Sequence, residues 1–131
     1  MATTSSTLIG VAVVRCGGRY LVGRRGPDGP LAGYDEFPGG KCRDGESAAA
    51  CAARECREET GLEVEAVELL LRREFTYAHG SVDLNFWLCR LREGQSEVTL
   101  QNGFGWVTTD ELAGLRFPEA NAPLLELLRS L

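Results

Sequence analysis

No apolar run in this sequence approaches the roughly 20 residues a membrane span requires, and the opening MATTSST is polar with no basic segment. Neither a transmembrane helix nor a secretory leader is therefore expected. A basic excess is missing too. The formal net charge of −5 excludes a general binder of nucleic-acid polymers, which needs a basic stripe, but leaves free nucleotides open, because a bound metal offsets local negative charge. None of the five cysteines stands in a CxxC pair and the odd number leaves one over, which fits neither a disulfide framework nor a zinc site. Reduced thiols and a cytoplasmic location are expected. Cys51 and Cys56 in a helical stretch, and Cys16 and Cys89 at the ends of apolar runs, read as packing residues. The single histidine, His79, falls in a turn and reads as a solvated loop residue. A Walker loop is excluded, because Asp35 stands where that pattern needs glycine and Cys42 follows Lys41 where serine or threonine is required. Internal repeats and low-complexity segments are absent as well.

The 131 residues that remain are enough for one domain burying about two-thirds of its unfolded surface. We expect a flexible segment over residues 1–7 and a single domain over 8–131. Leu8 to Cys16 is β-branched and nearly continuously apolar, the pattern of a strand buried on both faces. Gly17-Gly18 turns it into a short antiparallel partner, Tyr20 to Gly23. From Arg24 to Gly33 the density of glycine and proline predicts a surface loop, and Tyr34 to Pro38 a short extended segment. Leu62 to Phe75 alternates at its start and reads as a strand of irregular length. It pairs across Ala78–Ser81 with Val82 to Leu91, whose Val82, Leu84, Phe86 and Leu88 are expected to face inward. A short apolar Trp106-Val107 precedes a brief helix, Asp110 to Ala113, capped by Thr108 or Thr109. FPEANAPLLELLRSL forms a final helix with a leucine face.

The chemistry is concentrated between Gly40 and Leu62. A helix from about Ser47 to Thr60, stopped by Gly61, places Glu55, Glu58 and Glu59 in one arc. Like charges at these spacings cost a helix roughly 0.2–0.5 kcal/mol per pair. Two readings answer that repulsion: a hard divalent cation that also takes phosphate oxygens, or a solvated acidic face neutralised by Arg54, Arg57 and Lys41. Glu46 lies nine residues before Glu55, on the opposite face of a regular helix, so it must act from the loop or the first turn, where it also reads as a capping charge. Ala48, Ala49, Ala52, Ala53 and Cys56 form a small-residue stripe that lets the helix lie close to a sheet. Gly39 and Gly40 permit close backbone approach.

The spacing resembles the Nudix box, G-x5-E-x7-R-E-U-x-E-E-x-G-U with U apolar, running here from Gly40 through Glu46, Arg54-Glu55 and Glu58-Glu59 to Gly61-Leu62. The soft departure is Cys56, where an aliphatic residue is usual, and cysteine behaves as a small hydrophobe. Three further pieces look like the MutT branch: EFPGGK (Glu36 to Lys41), Arg24-Arg25, and FPEAN (Phe117 to Asn121). The resemblance implies the Nudix α/β/α sandwich, a mixed β-sheet between helices. It implies that Glu55, Glu58 and Glu59 bind Mg2+ or Mn2+ with the Gly39 carbonyl as a further ligand, that Arg54 holds the cluster, and that Glu46 supports the metal shell. For a MutT-like enzyme the implied reaction splits a nucleoside triphosphate into monophosphate and pyrophosphate, with 8-oxo-dGTP as a candidate substrate. Lys41 and Arg25 are expected on the substrate, Phe37 as a wall for the base and Asn121 as its polar reader. Arg25 reads equally as solvated, and Asn121 as the N-cap of the last helix. Other substrates within the family are CTP or a modified dCTP, ADP-ribose or a dinucleotide. A non-catalytic nucleotide-binding module is the alternative from another class, and the intact Glu55, Glu58, Glu59 and Arg54 set argues against it. The expected partner is a small nucleotide, with the chain a monomer or homodimer. Two features depart from the MutT pattern. Leu100 to Phe104 contains no carboxylate where such proteins often carry a glutamate, Glu97 being the nearest, and Ala78 to Ser81 lacks the arginine some members place near the base.

Overall fold

The computed structural model describes residues 6–28, 31–78, 80–95 and 99–131. His79 and Glu97, and residues 1–5 of the expected N-terminal segment, lie outside these. The central strand is the apolar run found in the sequence, β1 (Thr7–Cys16), which starts one residue before the expected Leu8. The hairpin partner is β2 (Arg19–Arg24), followed by β3 (Asp35–Glu36), β4 (Gly39–Lys41), helix α1 (Ala48–Thr60), β5 (Val64–Tyr77), β6 (Gly80–Leu91), β7 (Gly105–Thr108), α2 (Thr109–Leu112) and α3 (Ala122–Arg129). β6 runs parallel to β1 from Thr7 opposite Val82 to Val14 opposite Cys89, and β5 pairs antiparallel with β6 beyond it. Two short strands share the other edge of β1. β4 lies antiparallel to Ile9–Val11, while β2 pairs at Arg15 and Cys16 and extends the sheet to β3 and β7. The sheet is thus mixed, as expected.

Helices cover both faces. Ala52 and Cys56 of α1 pack with Ala12, Val14, Leu21, Leu62, Val64 and Cys89. On the opposite face Leu112, Leu124 and Leu128 of α2 and α3 pack on Val11, Val13, Tyr20, Val22, Phe37 and Phe86. The small-residue stripe has its counterpart in β1: a Cβ added to Gly10 would sit 2.6 Å from the Ala48 carbonyl oxygen and 2.8 Å from the Ala52 nitrogen. Glycine here and alanines there let helix and strand backbones touch.

Several expectations need correction. β6 has no single inward face: Leu84 and Phe86 join the cluster under α3, and Trp87, Cys89 and Leu91 the one under α1. The reason is position, since a strand between β1 and β5 is covered on both sides. Cys16 is exposed, because the strand run outlasts the helical cover, whereas Cys51, Cys56 and Cys89 are buried free thiols. The irregular length of β5 comes from register shifts between Ala66 and Glu68 and between Leu69 and Leu71. The last helix is two pieces, a 3₁₀ turn over Glu119–Asn121 and then α3.

Candidate active site

β4 and the start of α1 converge on Arg54. Ser47 caps the helix, its side chain accepting from the Ala50 N–H at 3.1 Å, which leaves Glu46 in the preceding loop. From there Glu46 reaches the same point as the helical glutamates. Arg54 Nε donates to Glu46 Oε2 at 2.7 Å and Nη2 to Oε1 at 2.9 Å, a bidentate pair. Nη1 divides its donors between Glu55 Oε1 at 2.9 Å and Glu58 Oε2 at 3.0 Å, and Nη2 also meets the Lys41 carbonyl at 3.2 Å. The guanidinium beside Glu46 holds that carboxyl down at about 2, helped by the Arg43 backbone N–H. The three carboxylates in turn keep Arg54 charged, its pKa raised chiefly by Glu46.

Glu59 points elsewhere, its Oε2 accepting from the Gly39 N–H at 3.0 Å. Burial pushes Glu59 up to about 8, against the pull of that N–H and with the negative charges of Glu55 and Glu36 adding to the rise. Glu55 sits against the Gly40 backbone, where a Cβ would stand 2.6 Å from its carboxyl carbon, so a side chain there would displace that carboxylate. Glu58 is 43% exposed and also lies 3.5 Å from Arg43. The helical arc thus holds, but the three side chains are split between Arg54 and Gly39. Among the described residues, the group of three ligand-type side chains with atoms within 4.8 Å of one another is instead Cys42, Glu46 and Cys51. Even so, Glu55 and Glu59 place two carboxylates side by side with an excess of negative charge, hard oxygen donors of the kind that fit magnesium or manganese.

The expected substrate residues are spread around this centre. Lys41 is exposed at the end of β4. Arg25 is not free: its Nε lies 3.5 Å from Glu36 Oε1, as Arg24 lies 3.7 Å from Asp35. Phe37, expected as a wall for the base, is only 5% exposed and belongs to the core, stacked on Phe117 with ring centroids 4.9 Å apart. Phe117 is the less buried of the two. Asn121 makes no side-chain cap to α3, because the 3₁₀ turn puts its own backbone at φ −89°, ψ −8° instead of the extended geometry of an N-cap. Its Nδ2 makes a long contact of 3.4 Å to the Pro118 carbonyl.

Sequence reasoning missed Arg43, Arg73 and Asn102. Arg73 Nη1 reaches across from β5 to the Ala120 carbonyl at 3.5 Å, next to Asn121. Asn102 Nδ2 donates to the Glu59 carbonyl at 2.5 Å, and the Gln101 N–H to that of Thr60 at 3.1 Å, so the loop without a carboxylate clamps the end of α1. The signal was present in Asn102-Gly103, whose φ of 57° and 76° belong to a left-handed turn. A cleft of about 420 Å³ lined by Arg15, Gly18, Val67 and Leu88 lies beyond the far end of β1 and offers no carboxylate, so it is separate from this centre.

Comparison with known proteins adds to the geometry. The model of the NUDIX domain matches residues 10–127. The chain is 30% identical over 124 residues to the 8-oxo-dGTP diphosphatase of Escherichia coli K12, covering 94% of this chain and 96% of that protein. It is 27% identical over 120 residues to the CTP pyrophosphohydrolase of the same organism, covering 92% and 89%. The solution structure of the E. coli ORF135 protein superposes with a TM-score of 0.79 at 25% identity, covering 97% of this chain and 91% of that one.

Proposed function

This chain belongs to the NUDIX domain family and is a Nudix hydrolase, and from that premise we propose that it splits a nucleoside triphosphate into nucleoside monophosphate and pyrophosphate with magnesium or manganese. The observation that carries the reading is the Arg54 fork, which ties Glu46, Glu55 and Glu58 together beside the half-buried Glu59. A solvated acidic face needs no such arrangement. Glu55, Glu58 and Glu59, with the Gly39 carbonyl, would hold the cation. Bound there, it supplies charge neutralisation for the phosphates and Lewis acidity toward a water.

The rest is the work of the chain. Arg54 is saturated with carboxylates, so it positions them and leaves phosphate binding to the exposed Lys41 and to Arg43. Glu46 anchors Arg54 from outside the helix and fixes the fork in one orientation. Glu59 stores a proton at neutral pH in the absence of a cation and gives it up when positive charge arrives. Asn121 has an amide with both donor and acceptor and makes no cap, which leaves it to read a base beside Phe117.

Similarity to an 8-oxo-dGTP diphosphatase supports an oxidised guanine nucleotide as substrate. The CTP pyrophosphohydrolase, matched over 92% of this chain, supports CTP as a second reading. Steady-state kinetics with dGTP, 8-oxo-dGTP, CTP and ADP-ribose in magnesium separates them. The expected result is monophosphate plus pyrophosphate from one triphosphate, with kcat/KM for 8-oxo-dGTP the highest. Turnover confined to ADP-ribose, or no turnover and no effect of Glu58→Gln, would overturn the proposal.

A further inference from the structure

Cys42 follows β4 and Cys51 lies in the first turn of α1, yet their sulfur atoms lie within 4.8 Å of each other. The two differ in exposure. Cys42 is half-buried and reachable by a small oxidant, and Cys51 is fully buried behind it. The Cys42 backbone N–H is fixed on the Leu8 carbonyl at 2.9 Å, which holds the residue over the helix. The Cys51 thiol donates to the Gly40 carbonyl at 3.3 Å and meets Arg54 Nη2 at 3.9 Å.

Glu46 completes this group, but a metal is poorly served here. Both oxygens of Glu46 are held by Arg54 at 2.7 and 2.9 Å. Burial and the neighbouring Cys42 thiol push Cys51 up to about 12, so it stays a protonated thiol, the partner that gives up its proton as the bond closes and not the one that first meets peroxide. Structural zinc also takes four protein ligands. A bond between the two sulfurs needs no third partner.

We propose that Cys42 and Cys51 form a reversible disulfide when hydrogen peroxide rises, and that this bond slows the adjacent phosphohydrolase site. The part concerning rate rests on the function proposed above. The Cys42 sulfur attacks one peroxide oxygen, forming an S–O bond and breaking the O–O bond, and the departing hydroxide takes the Cys42 thiol proton and leaves as water. The Cys51 sulfur then attacks the Cys42 sulfenic sulfur. An S–S bond forms, the S–O bond breaks, and the second oxygen leaves as water with the Cys51 proton. Two thiols lose two electrons and the peroxide gains them.

The bond must draw the sulfurs from under 4.8 Å to about 2.05 Å. Residues 40–42 and the first turn of α1 then move together, and the Cys51 donor to the Gly40 carbonyl is lost. Gly40 lies against the Glu55 carboxyl and Lys41 accepts from Arg54, so the displacement reaches the group that orients the carboxylates. Oxidation would thus report a rise in peroxide at the site itself.

The test uses the full chain carrying Cys16→Ser, which removes the exposed thiol. After peroxide, peptide mapping should find a Cys42–Cys51 cross-link, the mass should fall by about 2 Da, and two fewer thiols should titrate. Hydrolysis should fall about tenfold or more, as a small misplacement of positioning groups does, and recover with a thiol reductant. Cys42→Ser in the same background should keep the reduced rate and ignore peroxide. No cross-link between these two residues, or a cross-link with an unchanged rate, overturns the proposal. If the reduced protein hydrolyses no nucleotide, the function proposed above fails alone. The cross-link then decides the disulfide, and the loss or retention of magnesium-induced thermal stabilisation on oxidation decides its effect on the site.

Discussion

Arg54 is where chemistry and stability meet, because one guanidinium orients three carboxylates at 2.7 to 3.0 Å. Lysine keeps the charge and loses the planar fork. Arg54→Lys should therefore lower kcat about 10²-fold through misplaced carboxylates while the protein still folds, with a lower melting temperature; kinetics and thermal melting check both. Glu59 gives a pH dependence. Its folded value of about 8 lies above the ordinary 4.5, so between those values the folded chain retains a proton that the unfolded chain has released. Metal-free protein should lose stability as the pH rises from about 4.5 to about 8, and Glu59→Gln should flatten that slope in melting curves recorded across the window. Asn121 makes no cap, so Asn121→Ala should leave the melting temperature nearly unchanged and lower kcat/KM for the preferred nucleotide alone. A uniform loss over all nucleotides would instead assign it to the fold.

Between elements, the closest approach is α1 on β1 at Gly10. Gly10→Ala inserts a methyl group 2.6 Å from a helix carbonyl, and overpacking of this kind costs about 1–3 kcal/mol. The melting temperature should fall, and activity with it, since α1 carries Arg54 and the glutamates. This helix was legible in the sequence because its signals are local: a serine cap, an alanine stripe and a glycine stop with φ of 86°. β1 was legible for the same reason, as a continuous β-branched run. β4 was not, because Gly39-Gly40-Lys41 has no side-chain pattern and becomes a strand only by pairing with Ile9–Val11, far away in sequence. Alternation in β6 gave the wrong answer about its faces, since the cover over Trp87 and Cys89 comes from elements distant in the chain. At the site, spacing put Glu55, Glu58 and Glu59 on one arc of α1, and the helix spans all three, with Arg54 meeting Glu55 and Glu58. Their division between Arg54 and Gly39, the burial of Phe37 and the clamp from Asn102 depend on which loops meet, and spacing within one helix carries no information about that.

Across the whole molecule, charge and architecture point the same way. A chain of net charge −5 has placed Glu46, Glu55, Glu58 and Glu59 at one end of the sandwich, where Arg54 offsets part of the repulsion and the half-buried Glu59 keeps a proton. That leaves the folded state short of positive charge at one place, and a ligand that supplies it binds folded chains in preference to unfolded ones. Such binding stabilises by RT ln(1 + [L]/Kd), about 2.7 kcal/mol at a hundredfold excess over Kd. Magnesium added to metal-free protein at pH 8 should therefore raise the melting temperature in a concentration-dependent way, and a chelator should reverse it. Sodium chloride at equal ionic strength should give much less, because a monovalent ion only screens these half-buried carboxylates, whereas a hard divalent cation is ligated by them. Replacing Glu55 and Glu59 together by glutamine removes the carboxylates that lie side by side, so the magnesium response should vanish even if the fold gains stability from the lost repulsion. Calorimetric melting of wild type and this double variant, each with magnesium, sodium and chelator, measures both effects. A magnesium shift that survives in the double variant would place the cation elsewhere.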